Sequence, residues 1–341
     1  MVKRRYYTLD GLRGVGALLV VLHHFSPDFS VPSAVRGYLA VDLFFCLSGF
    51  VLTRGYGGKL SNGMTLERWI AVRLLRLYPL FFLSIVAGFL CAMLPGFPGS
   101  ELTEFGKLKA LGFNLLMLPA PTAMKAMFPL NFVAWSLFIE MLLSVQFYWS
   151  AKLPDRYIWA LLAASLVGLF MFRLMVGYVS GGYSWHDLPM GIVRGLFSFS
   201  VGMLIARNTD GRHFVTRWAW LPLAASAIFL AINPPHGAAY DLLMIVVGFP
   251  LIVLASVHLE PPNPTLFKLS GELSYPCYAL HWTTFFLVAT FFGLATNPAS
   301  PFIGAAILLV FLFGCHLLDR YFDAPLRSRL YRPKLLRPAS R

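Results

Sequence analysis

Charge is what this 341-residue chain has least of: Asp, Glu, Lys and Arg make up 13% of it, against 58% hydrophobic residues. Mean hydropathy is +0.68. So little charge excludes an ordinary soluble surface and puts most of the chain in lipid. Cysteine is scarce too. Cys46, Cys91, Cys277 and Cys315 all fall in apolar stretches with no paired spacing, which excludes a disulfide framework and a zinc site. Acidic residues are outnumbered by basic ones, 15 to 28. The excess lies in short loops between hydrophobic runs, which is a membrane-orientation pattern and not a nucleic-acid surface. There is no Gly-rich phosphate loop, no Gly-x-Ser-x-Gly and no His-Glu-x-x-His. These absences argue against an ATP-driven pump and a soluble hydrolase domain. No repeat or low-complexity segment stands out.

What is there is a series of apolar runs. They predict an all-α, polytopic membrane bundle of about ten spans, near 8–27, 37–54, 70–94, 130–150, 157–178, 189–206, 218–232, 239–258, 272–294 and 301–318. An eleventh stretch, 105–118, is short and holds Lys107 and Lys109. If it does not cross, nearly all loop Lys and Arg fall on one side, leaving only Arg36, Lys107, Lys109 and Lys125 opposite. If it crosses, most of them change sides, against the positive-inside rule. The expectation is therefore one transmembrane domain over 1–341, both ends cytoplasmic, with an interfacial or re-entrant outer helix near 105–118. Met1-Val2-Lys3-Arg4-Arg5 looks like a signal n-region, but no cleavage site ends the following run, so the first helix is expected to be retained. A basic cytoplasmic tail is expected over 319–341, carrying Arg320, Arg327, Arg329, Arg332, Lys334, Arg337 and Arg341.

Polar residues inside the runs mark the chemistry. Arg13 and His24 are eleven positions apart on the first helix, about 20° past three full turns, so they share a face about 16 Å apart. Ionisable side chains in lipid are unfavourable unless they face a polar cavity. Arg13 can bind an anionic group from the cytoplasm, and neutral His24 suits a base near pH 7. The simpler alternative has Arg13 snorkelling and His24 marking the outer boundary. Asp42, on the outer side of the second helix, could orient the His24 imidazole or pair with Arg36. Arg73 and Arg76 share a face at the inner start of the third helix and could grip phosphates. Glu140, in mid-helix, needs a basic partner or a polar cavity. Arg173 and Arg194 are candidates for an outer substrate vestibule. His281, among aromatics, is either a packing residue or part of that vestibule.

In order and spacing, these residues resemble the acyltransferase-3 family of bacterial membrane acyltransferases over nearly the whole chain. The resemblance rests on Leu9-Asp10-Gly11-Leu12-Arg13-Gly14 with Arg13/His24, Val41-Asp42-Leu43-Phe44-Phe45, Leu47-Ser48-Gly49-Phe50 and Arg73-x-x-Arg76-Leu77-Tyr78-Pro79. Trp135-Ser136-Leu137 with Glu140, Ser274-Tyr275-x-x-Tyr278-x-x-His281 and Asp323-Ala324-Pro325 complete it. The resemblance implies transfer of an acetyl or other short acyl group from cytoplasmic acyl-CoA, a donor substrate and not a resident cofactor, to hydroxyls of a cell-surface glycan. It implies an inner-membrane, multi-pass location, and Arg13 and His24 as the essential pair. Aromatics follow Glu140 later than in relatives, and no SGNH-type domain follows the last run, so a separate periplasmic partner could finish the transfer. The rival class is a transporter of a lipid-linked saccharide or anion, with Arg13, Glu140, Asp42 and His24 as a proton relay, but discontinuous helices and paired half-repeats are not evident. An inactive scaffold is a third alternative, disfavoured by the intact pair.

Overall fold

The computed structural model describes residues 5–294 and 297–330, so Met1–Arg4 and the tail from Tyr331 to Arg341 lie outside it. Its helices are α1 (Tyr7–Phe29), α2 (Ala40–Ser61), α3 (Leu66–Cys91), α4 (Glu104–Leu115), α5 (Ala134–Ser150), α6 (Asp155–Val176) and α7 (Leu188–Asn208). They continue with α8 (Leu221–Ala231), α9 (Gly237–Leu243), α10 (Phe249–His258), α11 (Thr265–Phe292), α12 (Pro301–Leu318) and α13 (Ala324–Leu330). One widened turn, Met244–Gly248, joins α9 to α10, and another, Asp319–Asp323, joins α12 to α13. The two-residue strands β1 (Phe214–Val215) and β2 (Leu259–Glu260) pair in parallel.

A helix stands at each of the ten predicted positions. Six are long and apolar enough to cross a bilayer: Gly37–Ser61, Leu66–Cys91, Asp155–Val176, Leu188–Asn208, Gly237–His258 and Pro301–Leu330. The 17-residue α5, the short Arg217–Ala231 element and the polar-bearing α1 and α11 fall outside that count. Local signals set many boundaries. Thr65, Thr103 and Ser300 cap α3, α4 and α12 by accepting from backbone N–H groups, and Gly177 ends α6 at φ 82.

Packing sorts the helices by depth. Only 17% of the apolar window of α6, and 17% of that of Pro301–Leu330, is buried in the bundle, against 67% for α2. The first two therefore lie at the periphery and α2 at the centre. α1 runs parallel to α11, with Gly14 against Ser270 at one end and Phe25 stacked on Phe285 at the other. α2 runs parallel to α7. A Cβ on Gly49 would collide with the Phe199 carbonyl, and one on Gly202 with the Cys46 carbonyl. Only glycine permits backbones this close, as in small-residue helix crossings. α3 and α5 are antiparallel, Trp69 and Arg73 meeting Ser144 while Ser84 meets Asn131. These relative directions are those of the predicted alternation. We call the end holding the start of α1 proximal and the other distal.

The stretch near 105–118 is α4, which doubles back beside α3. Tyr78, midway along α3, donates to the Leu115 carbonyl at the tip of α4, 3.0 Å. Lys107, buried, is paired with Glu104 at 2.8 Å. The helix thus returns toward the bundle's middle, the shape expected of a re-entrant element.

Candidate active site

Two connected chambers open at the proximal side. The larger, about 390 Å³, is lined by Arg13, Ser48, Tyr56, Arg73, Arg76 and Arg327 among others. Beyond the shared Arg13, Ser48, Arg73 and Arg76 lies a deeper space of about 130 Å³, reaching Val41, Phe44, Ser136, Glu140, Tyr275 and Tyr278. A distal chamber of about 390 Å³ is lined by His23, His24, Tyr38, Val41, Phe132, Trp135, Tyr183, Tyr278 and Trp282. Arg13 and His24, brought to one face by the phase of α1, thus serve chambers on opposite sides of a thin wall.

The proximal charges are unequally partnered. Arg73 donates to Glu140 at 2.6 Å and to Ser144 Oγ at 2.9 Å, and Ser48 also donates to Glu140. The basic partner expected for Glu140 is therefore Arg73. Arg73 lines both proximal spaces with this carboxylate already beside it. Arg327 reaches Asp319 at 3.1 Å and Asp323 at 2.8 Å. Arg13 and Arg76 line both proximal spaces and form no ion pair among the described residues. Arg76 lies over the Tyr275 ring at 5.4 Å. Two guanidinium groups that face a half-enclosed space without an ion pair among the described residues can hold an anion. Pro79 and Pro276 interrupt the hydrogen-bond ladders of α3 and α11 beside it, and Tyr275 donates to the Leu77 carbonyl between them.

At the distal chamber the expectations for Asp42 and Arg194 are corrected. Asp42 does not orient His24. It is fully buried and held by Arg194, whose Nε donates at 3.1 Å and whose Nη2 donates to the other carboxylate oxygen. Arg194, 1% exposed, also donates to the Gly181 carbonyl at 2.7 Å, so it clamps α2, α7 and the 181 loop instead of facing a vestibule. A buried carboxylate takes the strongest available counter-charge, and a bidentate guanidinium outcompetes an imidazole. Arg173, on peripheral α6, lines none of the three chambers. Arg36 pairs with Asp241 at 3.1 Å.

His281 is brought to the site. Its ring stacks on that of His24 with centroids 5.4 Å apart. Its Nδ1 faces the carbonyl oxygens of Tyr278 and Cys277 at 2.9 and 3.1 Å, which only accept, so Nδ1 carries the proton. Buried Nε2 has no partner among the described residues and presents a lone pair. Around His24 stand His23, Phe132 and Trp282, at 5.1, 6.1 and 5.3 Å between ring centroids.

A family model of the acyltransferase domain, of the acyltransferase-3 type, matches residues 6–319. The chain belongs to the acyltransferase-3 family. It is an acyltransferase, and the transporter alternative has no supporting observation. A protein of Rhizobium radiobacter, named protein 2 in the picA locus, is 39% identical over 180 residues, 49% of this chain and 94% of that one. A protein of Acidianus two-tailed virus, whose name proposes an acetyltransferase, is 25% identical over 281 residues, 79% of this chain and 80% of that one. No solved structure matches.

Several residues lining this acyltransferase's chambers escape sequence reasoning. Composition places Arg327 in a basic tail, but 319–330 is helical and packs back on α3. The spacing of Asp323 and Arg327, one turn apart, was the available sign. Phe132, Tyr183 and Trp282 come from three separate segments, and no spacing links them. Chemically, the arrangement can hold an anion at one end and sets a histidine flanked by rings at the other, with Val41 and Tyr278 lining both spaces.

Proposed function

We propose that this acyltransferase moves an acetyl or other short acyl group from acyl-CoA, entering from the cytoplasm at the proximal end, to a hydroxyl of a cell-surface glycan in the distal chamber. The observation that carries the reading is the placement of Arg13 and His24 in chambers that share Val41 and Tyr278 as lining. Basic loops gather at the proximal end, which supports its cytoplasmic side and an inner-membrane setting. The roughly 16 Å from Arg13 to His24 suits a slender pantetheine arm whose phosphates stay with Arg13 and Arg76. The distal aromatics suit the apolar face of a sugar ring. Phe132 and Trp282 lie 4.8 Å apart between centroids, and Phe132 and Tyr183 5.0 Å.

In this reading His24 takes the proton from the acceptor hydroxyl as its oxygen attacks the thioester carbonyl. The C–S bond breaks, the ester C–O bond forms, and the CoA sulfur leaves with a proton. His281 holds the His24 ring by stacking, and the Asp42–Arg194 clamp holds the wall. The protein needs no resident cofactor. A separate partner for final delivery of the glycan belongs to the same proposal.

The test uses purified protein in nanodiscs, radiolabelled acetyl-CoA and a surface-glycan extract of the host. Wild type should label the glycan. His24→Ala should lose about 10²- to 10⁴-fold of the rate, the usual contribution of a general base, while eluting as folded protein. Full activity in that variant would overturn the role of His24. Label that stays on acid-quenched protein would replace direct transfer with an acyl-histidine intermediate.

A further inference from the structure

His23 stands beside His24 in the distal chamber and takes no part in the chemistry described so far. Consecutive residues on a helix point about 100° apart, yet both rings line this space of about 390 Å³, a volume typical of small-ligand sites. Their centroids lie 5.1 Å apart. The His23 ring is held in place. Its Nδ1 is 3.1 Å from the Ala34 carbonyl oxygen, which only accepts, so Nδ1 carries the proton and Nε2 keeps its lone pair. The rings of His23 and Tyr38 meet edge-on at 5.3 Å. A Cβ on Gly37 would collide with His23 Cβ and the Leu19 carbonyl, so the Gly37–Leu39 turn packs straight onto this face of α1. Two neighbouring hydroxyls of the chamber are already engaged. That of Tyr38 donates to Asp241 at 2.7 Å, and that of Tyr278 lies 2.5 Å from Ser136 Oγ. The Nε2 of His23 forms no hydrogen bond among the described residues.

We infer that His23 Nε2 accepts a hydrogen bond from a second hydroxyl of the acceptor, so that this enzyme acylates a hydroxyl with a free hydroxyl beside it. This rests on the reading in which His24 takes the proton of a glycan hydroxyl. Rings whose centres lie 5.1 Å apart can be bridged by oxygens on neighbouring sugar carbons, each about 3 Å from its nitrogen. The apolar face of the sugar is then left for the rings of Phe132 and Trp282, which line the same chamber. The second hydrogen bond turns the sugar so that one hydroxyl, and not the next, meets His24. His23 forms no covalent bond and moves no proton. It contributes affinity and the choice of hydroxyl. An acceptor without the second hydroxyl leaves Nε2 unpaired, and a site built on a hydrogen bond discriminates against the analogue that cannot make it.

Two substitutions separate the ring nitrogens. His23→Asn keeps a donor near the place of Nδ1, for Ala34, and removes the acceptor at Nε2. His23→Gln carries its amide oxygen to the place of Nε2 and gives up the bond to Ala34. The assay uses nanodiscs, acetyl-CoA and the surface-glycan extract. His23→Asn should lower acceptor kcat/KM about 5- to 50-fold, mostly through KM and with donor KM unchanged, the effect of leaving a hydrogen-bonding partner unpaired. His23→Gln should stay within about threefold of wild type. The reverse order, or equal effects, overturns the assignment and leaves His23 as a packing residue. Nuclear magnetic resonance of the wild-type product should place the acetyl group on a carbon whose neighbour carries a free hydroxyl. Acetyl groups on isolated hydroxyls overturn the inference, and this map decides the matter even if a variant does not fold. Absence of transfer by wild type overturns the proposed function itself, so the two failures are distinguishable.

Discussion

The two sides of the wall use different chemistry. Among the described residues, the proximal spaces are lined by four arginines, Arg13, Arg73, Arg76 and Arg327, and by no histidine. The described residues that line the distal chamber include two histidines and a set of aromatic rings, and no arginine. Guanidinium groups are permanent cations suited to hold an anion in place, whereas a neutral imidazole can accept and return a proton. The molecule thus separates holding from reacting along one helix, α1. Two ion pairs, Arg73–Glu140 and Arg194–Asp42, tie helices together around that division, and Arg327–Asp323 is a one-turn pair within its own helical segment.

The sharpest way to break this contrast is to unclamp the wall. Asp42→Ala leaves Arg194 buried and unpaired, and should cost about 3–5 kcal/mol of stability. Thermal unfolding in detergent, followed by tryptophan fluorescence, measures it. If Asp42 served His24 instead, that variant would lose activity and keep its stability. Next in size is Arg76→Ala, which removes one of the two proximal cations that form no ion pair among the described residues. The loss of charged hydrogen bonds, about 1.5–3 kcal/mol, should raise donor KM roughly ten- to hundred-fold and leave acceptor KM alone. Trp282→Ala is its mirror image. Loss of one aromatic contact, about 0.5–1.5 kcal/mol, should raise acceptor KM several-fold with donor KM unchanged. A variant that shifted both constants would show that the chambers are not independent. Smallest of all is Arg173→Ala on peripheral α6, expected to change stability by no more than about 0.5 kcal/mol and transfer not measurably.

The legible parts of this architecture are those fixed by local arithmetic. Helix phase alone puts Arg13 and His24 on one face, and hydropathy alone locates the ten helical stretches. Desolvation alone requires that Glu140 have a basic neighbour. What the sequence does not carry is which helix lies beside which. Asp42 finds Arg194 because Gly49 and Gly202 let α2 and α7 approach closely, and neither glycine announces its partner in advance. His281 reads as a packing residue among aromatics until α11 is seen to run parallel to α1. Arg327 was hidden by a composition argument. A basic stretch after the last apolar run resembles a solvated tail, and only the widened turn at Asp319–Asp323 swings it back over the chamber mouth. Such turns occur often at functional sites.

Arg13 stands on the first helix and Arg327 on the last described one, yet both face the same proximal space. A membrane chain is threaded in the order in which it is made. Until the helices that carry Asp323 and Arg327 arrive, the chamber lacks one of its walls. A ribosome-bound or truncated chain therefore presents a first helix with both Arg13 and His24 but no chamber in which to use them. Competence comes to this enzyme only once the segment that carries Arg327 has been made.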